Sequence, residues 1–137
     1  MASRDLLHRI KSVISVTPAA LASGATNGAG VDTTGFESVT LEAVSGAQGG
    51  TSPVLTFKLQ DSPDNTTWTD VAAGSVLGAA ANLITVAATS TGTLGYLGSQ
   101  RYVRAVANLA GTTPTATAGA TIILSHARHN DPQTAQA

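Results

Sequence analysis

The chain has 137 residues, a net charge of −1 and no cysteine. That length suits one domain with one core, and the absence of thiols excludes disulfides and thiolate metal sites. Only 11% of the residues are charged, against roughly 25% in an ordinary soluble domain; such a surface makes more sense when other subunits cover much of it.

Ala, Gly, Thr, Ser and Val dominate the sequence. Thr and Val favour strands, Gly and Ser favour turns. Residues 1–9 carry charges with no apolar run behind them, which does not match a secretory signal. No apolar stretch nears the roughly twenty residues of a membrane-spanning helix.

In chain order, residues 1–9 read as an arm or a single helical turn. Residues 10–16 predict a first strand, ended by Thr17 and Pro18. Residues 19–35 are rich in Ala, Gly, Thr and Asn and read as a long loop, uncommon in a compact domain unless it has a job or a partner pins it. Residues 36–44 predict a second strand with Val39, Leu41 and Ala43 on one face, and residues 45–53 a Gly-rich turn.

The most informative stretch follows. Leu55, Phe57 and Leu59 alternate with Thr56, Lys58 and Gln60, and a period of two separates an apolar from a polar strand face. Asp61, Ser62, Pro63, Asp64 and Asn65 then form a turn cluster. Trp68 and Val71 are placed on the returning strand. The core is expected to form around Trp68, the only tryptophan, because it would bury a large area.

Residues 71–82 are a small-residue connection with a marginal helical option. Residues 83–87 predict a strand, 89–94 a Gly-containing turn, and 95–108 a tight turn leading into a long strand. Residues 111–114 break that strand, 115–125 form the last long one, and 126–137 a polar tail. Seven or eight short strands between Gly, Pro and Asn turns, with no long helix, predict an all-β, antiparallel β-sandwich, jelly-roll-like, with an extended N-terminal arm. The domain reading is residues 1–9 as the arm, 10–126 as the sandwich and 127–137 as the tail.

Candidate chemistry is sparse. Asp61, Asp64, Asn65 and Asp70 could offer oxygen ligands to calcium, but their spacing is not that of an EF-hand, and turn chemistry accounts for them. Asn65-Thr66-Thr67 is formally a glycosylation acceptor. His126 and His129, with His8 as a distant third, fall short of a zinc ligand set. No nucleophile elbow, phosphate loop or His-Glu-x-x-His motif occurs. Glu37 and Glu42 are the only glutamates, and nothing specifies a glycosidase pair. The expectation is a protein that is not an enzyme, with no cofactor and no metal.

Arg4, His8, Arg9 and Lys11 make a small basic cluster, and Arg101 and Arg104 flank Tyr102, where they could reach phosphates or stack on bases. The chain is not basic overall, so pairing of Arg101 and Arg104 with acidic groups of this or a neighbouring subunit is the better reading. Nucleic acid and membrane are not expected partners.

One set of motifs points further. These are Lys11-Ser12-Val13-Ile14; Asn27-Gly28-x-Gly30-Val31-Asp32 followed by Gly35-Phe36-Glu37-Ser38; Leu59-Gln60-Asp61-Ser62-x-Asp64-Asn65-x-x-Trp68-Thr69-Asp70-Val71; and Gly95-Tyr96-Leu97-Gly98-Ser99-x-Arg101-Tyr102-Val103-Arg104-Ala105. In these the sequence resembles a family of small tailed-bacteriophage virion proteins, over residues 10 to 126. The motifs are strand-and-turn motifs and carry no catalytic signature. Similar small β proteins are capsid cement, or decoration, proteins, in which a jelly-roll trimer sits over junctions between capsomers. The resemblance therefore implies a structural virion protein at the capsid surface, with the major capsid protein and further copies of itself as partners. On that reading Arg4, Leu6, Leu7, Arg9, Arg101 and Arg104, together with the 19–35 loop, make capsid or subunit contacts. Phe57, Trp68 and Tyr102 are core or interface aromatics. The alternatives are another virion component, such as a head-tail connector, tail-tube or spike-base protein, or a carbohydrate-binding module. The last would want exposed aromatics, and the chain is only 4% aromatic.

Overall fold

The computed structural model describes residues 6–127. A single 3-10 turn, Leu7–Arg9, leads into nine strands: β1 (Ile10–Leu21), β2 (Gly24–Asn27), β3 (Val31–Asp32), β4 (Phe36–Ser62), β5 (Thr69–Asp70), β6 (Val76–Leu77), β7 (Ile84–Thr85), β8 (Ser90–Tyr96) and β9 (Tyr102–Ala127). No α-helix occurs among the described residues; a second 3-10 turn, Ala73–Ser75, precedes β6.

Two strands carry the rest. β4 and β9, 27 and 26 residues long, pair antiparallel from Phe36 opposite Ala127 to Ser62 opposite Tyr102. Register shifts between Ser45 and Val54 mark a shared bend. Bulges of this kind let strands pass from one sheet of a sandwich to the other. Before the bend, the first half of β4 and the second half of β9 lie in layer I, ordered β1-β9-β4-β8-β6. Beyond it, β2 and β3 pair with β9, and β5 and β7 pair with β4, to make layer II. Counting β1 as run 1, β2 with β3 as run 2, the two halves of β4 as runs 3 and 4, β5 with β7 as run 5, β8 as run 6 and the two halves of β9 as runs 7 and 8, layer I has the order 1-8-3-6, with β6 beyond β8, and layer II the order 2-7-4-5. This is the jelly roll, two interlocked Greek keys. The chain is thus all-β and antiparallel.

Alternation fills the space between the layers. Leu41 and Ala43 of layer I, Leu55, Phe57 and Leu59 of β4 beyond the bend, Val103, Ala105 and Ala107 of β9, and Leu94 and Ile122 are all fully buried in one continuous core. Val39, Leu41 and Ala43 share the inward face, as their alternation requires.

Several expectations need correction. Phe57, not Trp68, lies at the centre of the core: Phe57 is fully buried and Trp68 only half-buried. Trp68 falls at the end of the polar turn, just before the two-residue β5, and its ring lies against the Arg104 guanidinium. Residues 19–35 are not a loop. β1 continues to Leu21, and β2 and β3 pair with Leu109 to Val106 and with Val103 and Tyr102. Small residues there satisfy a ladder without needing an apolar pattern. Residues 90–94 lie within β8 rather than in a turn, which ends at Thr89; in β8, Gly92 lets Ile84 and Val86 come close.

The segments 45–53 and 111–114 bend their strands without ending them. Gly50 and Gly111 have φ of +92° and +132°, a region L side chains rarely adopt. A Cβ on Gly111 would come within 2.9 Å of the Ser52 carbonyl, and one on Gly50 would meet the Thr113 carbonyl. The two bends are nested, so each strand turns with its partner and the ladder survives.

Ser15 closes the layers along one edge. Its Oγ donates to the Ala29 carbonyl at 2.8 Å and accepts from the Ala105 amide at 2.9 Å, while the Gly28 amide donates to the Ala105 carbonyl at 2.8 Å. A layer I side chain thereby helps fill the gap that β2 and β3 leave on β9 at Arg104 and Ala105.

Two outcomes follow. Phe57→Ala should cost about 3–5 kcal/mol in denaturant unfolding, and Trp68→Ala clearly less; the reverse order would return Trp68 to the core. Ser15→Ala should cost about 1–3 kcal/mol, because it orphans a buried amide, with Ser15→Thr as the variant that keeps the hydroxyl.

Candidate functional site

The outer faces of the two layers differ sharply in chemistry. In layer I the register places Ile10, Ser12 and Ile14 of β1 beside Ser125, Ile123 and Thr121 of β9. Ser38, Thr40, Glu42 and Val44 of β4 lie opposite the same strand, and Thr93 and Thr91 of β8 opposite Glu42 and Val44. Because Leu41, Ala43, Ile122 and Leu94 point inward, these residues point outward. Ile14 and Val44 are about half exposed, at 51% and 49%. At Val44 an apolar groove of about 290 Å³ runs over Pro18, Val44, Gly46 and Gly119. Glu42 is the only charged residue on this outer face among the strand positions just named. A solvated outer face normally alternates charge with polar groups.

The N-terminal turn adjoins this layer. The Arg9 amide donates to the Leu6 carbonyl at 3.0 Å. Leu6, His8 and Arg9 line a cleft of about 300 Å³ with Ile10, Ser125 and His126. Leu6 and Leu7 are 64% and 63% exposed, the most exposed of the large apolar side chains described. His126 Nδ1 lies 2.6 Å from Ser38 Oγ, so the end of β9 is fastened to the start of β4. Arg4 and His129 lie outside the described residues.

Layer II carries Arg104 of β9 and Arg101, which immediately precedes that strand. Arg101 makes a forked pair with Asp32, Nε to Oδ1 at 3.2 Å and Nη2 to Oδ2 at 2.9 Å. Asp32 Oδ1 also accepts from the Thr34 amide and hydroxyl at 3.0 and 2.7 Å. Arg101, through these bonds above all, holds the Asp32 carboxyl well below the usual carboxylate range. The Arg101 guanidinium lies 5.1 Å from the centroid of the half-buried Tyr102 ring. The reading that Arg101 pairs with an acid of its own chain therefore describes its geometry.

Arg104 differs. Its Nε and Nη2 donate to the amide oxygen of Gln60 at 2.9 and 2.7 Å, and its guanidinium stacks 4.5 Å from the centroid of Trp68. Lys58–Asp70 and Arg101–Asp32 are ion pairs; Arg104, expected to pair with an acid, takes an amide and an aromatic face instead. Trp68 is thus a lid on a cation, a role its position after a turn did not suggest.

The carboxylates of the polar turn are committed to the fold. Asp64 Oδ1 accepts from the amides of Thr67 and Thr66 at 2.9 and 3.0 Å and from Ser62 Oγ at 2.9 Å. Those backbone bonds press its pKa far down. Asp70 accepts from Lys58 Nζ at 2.8 Å and Gln60 Nε2 at 2.7 Å, and the Lys58 bond lowers its pKa first. Asp61 Oδ2 accepts from the Tyr96 hydroxyl at 2.8 Å. Burial pushes the Tyr96 phenol up to about 12. No group of three or more His, Asp or Glu side chains is gathered as a metal site among the described residues.

Comparison of the sequence with known protein families and with curated proteins finds no match. The assignment of surfaces therefore rests on geometry. Sequence reasoning singled out Leu6, Leu7, Arg9, Arg101 and Arg104, and the structure spreads them: the first three border layer I, the arginines lie at layer II. It missed Gln60, Lys58 and Asp70 as a linked set, and the outer face of layer I. The second was signalled by Ser38, Thr40, Glu42 and Val44 alternating with Val39, Leu41 and Ala43, a pattern whose outward half holds a single charge.

Acid titration checks the carboxylates. Depressed folded pKa values mean that Asp32, Asp64 and Asp70 stabilise the fold fully above the ordinary value of 3.8, and this contribution is lost as pH falls below it. The denaturant midpoint should hold between about pH 7 and 5 and fall below about pH 4. Asp64→Asn and Asp32→Asn should each lower stability at neutral pH and flatten the acid fall; an unchanged slope in both would put the acid sensitivity elsewhere.

Proposed function

We propose that this chain is a structural virion protein, a capsid cement protein that binds the outside of a bacteriophage head and stabilises the shell by protein–protein contact. The observation that carries the reading is the outer face of layer I, with Ile14 and Val44 half exposed and Glu42 the one charge among its described outward strand positions. A face of Thr, Ser, Gly and aliphatic side chains suits burial against a neighbour, since contiguous exposed apolar surface marks interaction sites. Leu6 and Leu7 extend that face beyond the sandwich. The resemblance in strand-and-turn motifs supports the same reading, as does the low charge of the chain.

In this role the protein acts through binding alone. The rigid jelly roll fixes the spacing between contact faces, so little ordering entropy is lost on docking. Repetition of the contact over a symmetric shell multiplies a modest affinity. The partners are the major capsid protein and further copies of this chain, in a closed ring that repeats one heterologous contact three times.

The test mixes purified protein with expanded, undecorated heads of the virus that encodes it. Saturable binding and a higher shell melting temperature are expected, with Val44→Glu and Leu7→Glu each weakening binding at least tenfold (about 1.4 kcal/mol) while the variants stay folded. No saturable uptake by the heads would overturn the reading. Light scattering of the free protein separates a trimer from the hexamer expected of a tail-tube subunit.

A further inference from the structure

The outer face of layer II holds a second surface with a different chemistry. Beside the bonded row of Lys58, Asp70, Gln60 and Arg104 lies a groove of about 490 Å³ lined by Asn27, Lys58, Gln60, Leu83, Val106 and Asn108. No carboxylate lines it. Val106 is buried yet stands apart from the core cluster: it lies between the inward-facing Ala105 and Ala107, and forms the apolar floor of the groove. Leu83, 51% exposed, forms an apolar rim. Lys58 is balanced by Asp70. Arg104 does not line the groove but flanks it, two residues along β9 from Val106 and bonded to the lining Gln60; it is held by Gln60 and Trp68 and has no acid partner among the described ion pairs.

We infer that this groove receives an extended acidic segment of a protein partner, with a carboxylate at Arg104 and an aliphatic side chain over Val106 and against Leu83. The inference rests on the reading of the chain as a protein-binding structural component. Charge complementarity selects the occupant: a fixed guanidinium, already stripped of part of its water by Trp68, gains most from a carboxylate. Asn27 and Asn108, on neighbouring strands, present amide groups that can bond the main chain of an extended peptide. A peptide is favoured over an acidic glycan because the one nearby indole is covered by Arg104 and offers no open stacking face.

The experiment uses a fluorescein-labelled octapeptide, Glu-Ser-Leu-Ser-Glu-Ser-Leu-Ser, which presents acids and leucines on one face, and its counterpart with Lys for Glu. Fluorescence anisotropy at low salt should show saturable binding of the acidic peptide alone, weakening as salt rises. Arg104→Gln, which keeps a bond to Gln60, and Leu83→Asp, a change at an exposed rim that leaves the core intact, should each weaken it at least tenfold. Equal binding of both peptides, or no saturable binding up to about 1 mM, would overturn the proposal, as would binding of an oligouronate in place of the peptide. Heads that bind the Arg104→Gln protein like the original would move the shell contact away from this groove and leave the cement reading standing.

Discussion

The antiparallel pairing of β4 with β9 is the interaction on which the structure depends. Each strand spans both layers, and every other strand pairs with one of them or, for β6, with β8. Because they bend together, the layers are covalently continuous at the corner and cannot slide independently. Gly50 and Gly111 allow the bend by placing bare Cα atoms against the carbonyls of the opposite strand. The cost of forming such a fold is the loop entropy of joining residues far apart in sequence, and the return is a ladder that extends through two sheets.

One cross-strand pair shows how the second layer is completed. Leu59 lies opposite Ala105 at the middle of layer II. On the outer side of Leu59, β5 and β7 leave a gap, and the Asn82 side chain fills it, accepting from the Leu59 amide at 2.8 Å and donating to its carbonyl at 2.7 Å. On the outer side of Ala105, β2 and β3 leave a gap, and Ser15 with Gly28 fills it. Two side chains thus stand in for missing strand backbone on either flank of the same pair. Buried backbone groups must be paired, so short broken edge strands are tolerable only with such substitutes. Broken edges also discourage unwanted pairing with other sheets.

The contrast between the two outer faces gives the molecule a direction. The described outward strand positions of layer I offer threonines and aliphatic side chains around Glu42, a surface that loses little on leaving water. Layer II offers a linked polar row, in which Asp70 and Gln60 hold Lys58 and Arg104 in place. Rigid charges of that kind favour specificity and orientation more than raw affinity. A protein whose work is to join neighbours can use the first face for adhesion and the second for register.

Much of this was legible in the residues. The alternation of Leu55, Phe57 and Leu59 with Thr56, Lys58 and Gln60, and of Val39, Leu41 and Ala43 with their neighbours, determined strands with one inward face, and the lack of any helical period determined an all-β domain. The Asx and Ser chemistry of residues 61–65 signalled a turn, which begins after Ser62, the last residue of β4. What only the tertiary structure decided was how far strands run and what lone polar groups meet. Residues 19–35, 45–53 and 111–114 carry turn residues because strands bend and bulge there, and local sequence cannot distinguish a bend shared with a partner from the end of a strand. Trp68 signalled a large apolar area, but whether an indole meets a core or a guanidinium depends on which strand crosses it. Arg104 met Gln60 and Trp68 because β9 passes between β4 and β2, a neighbourhood fixed by pairings some forty residues distant in the chain.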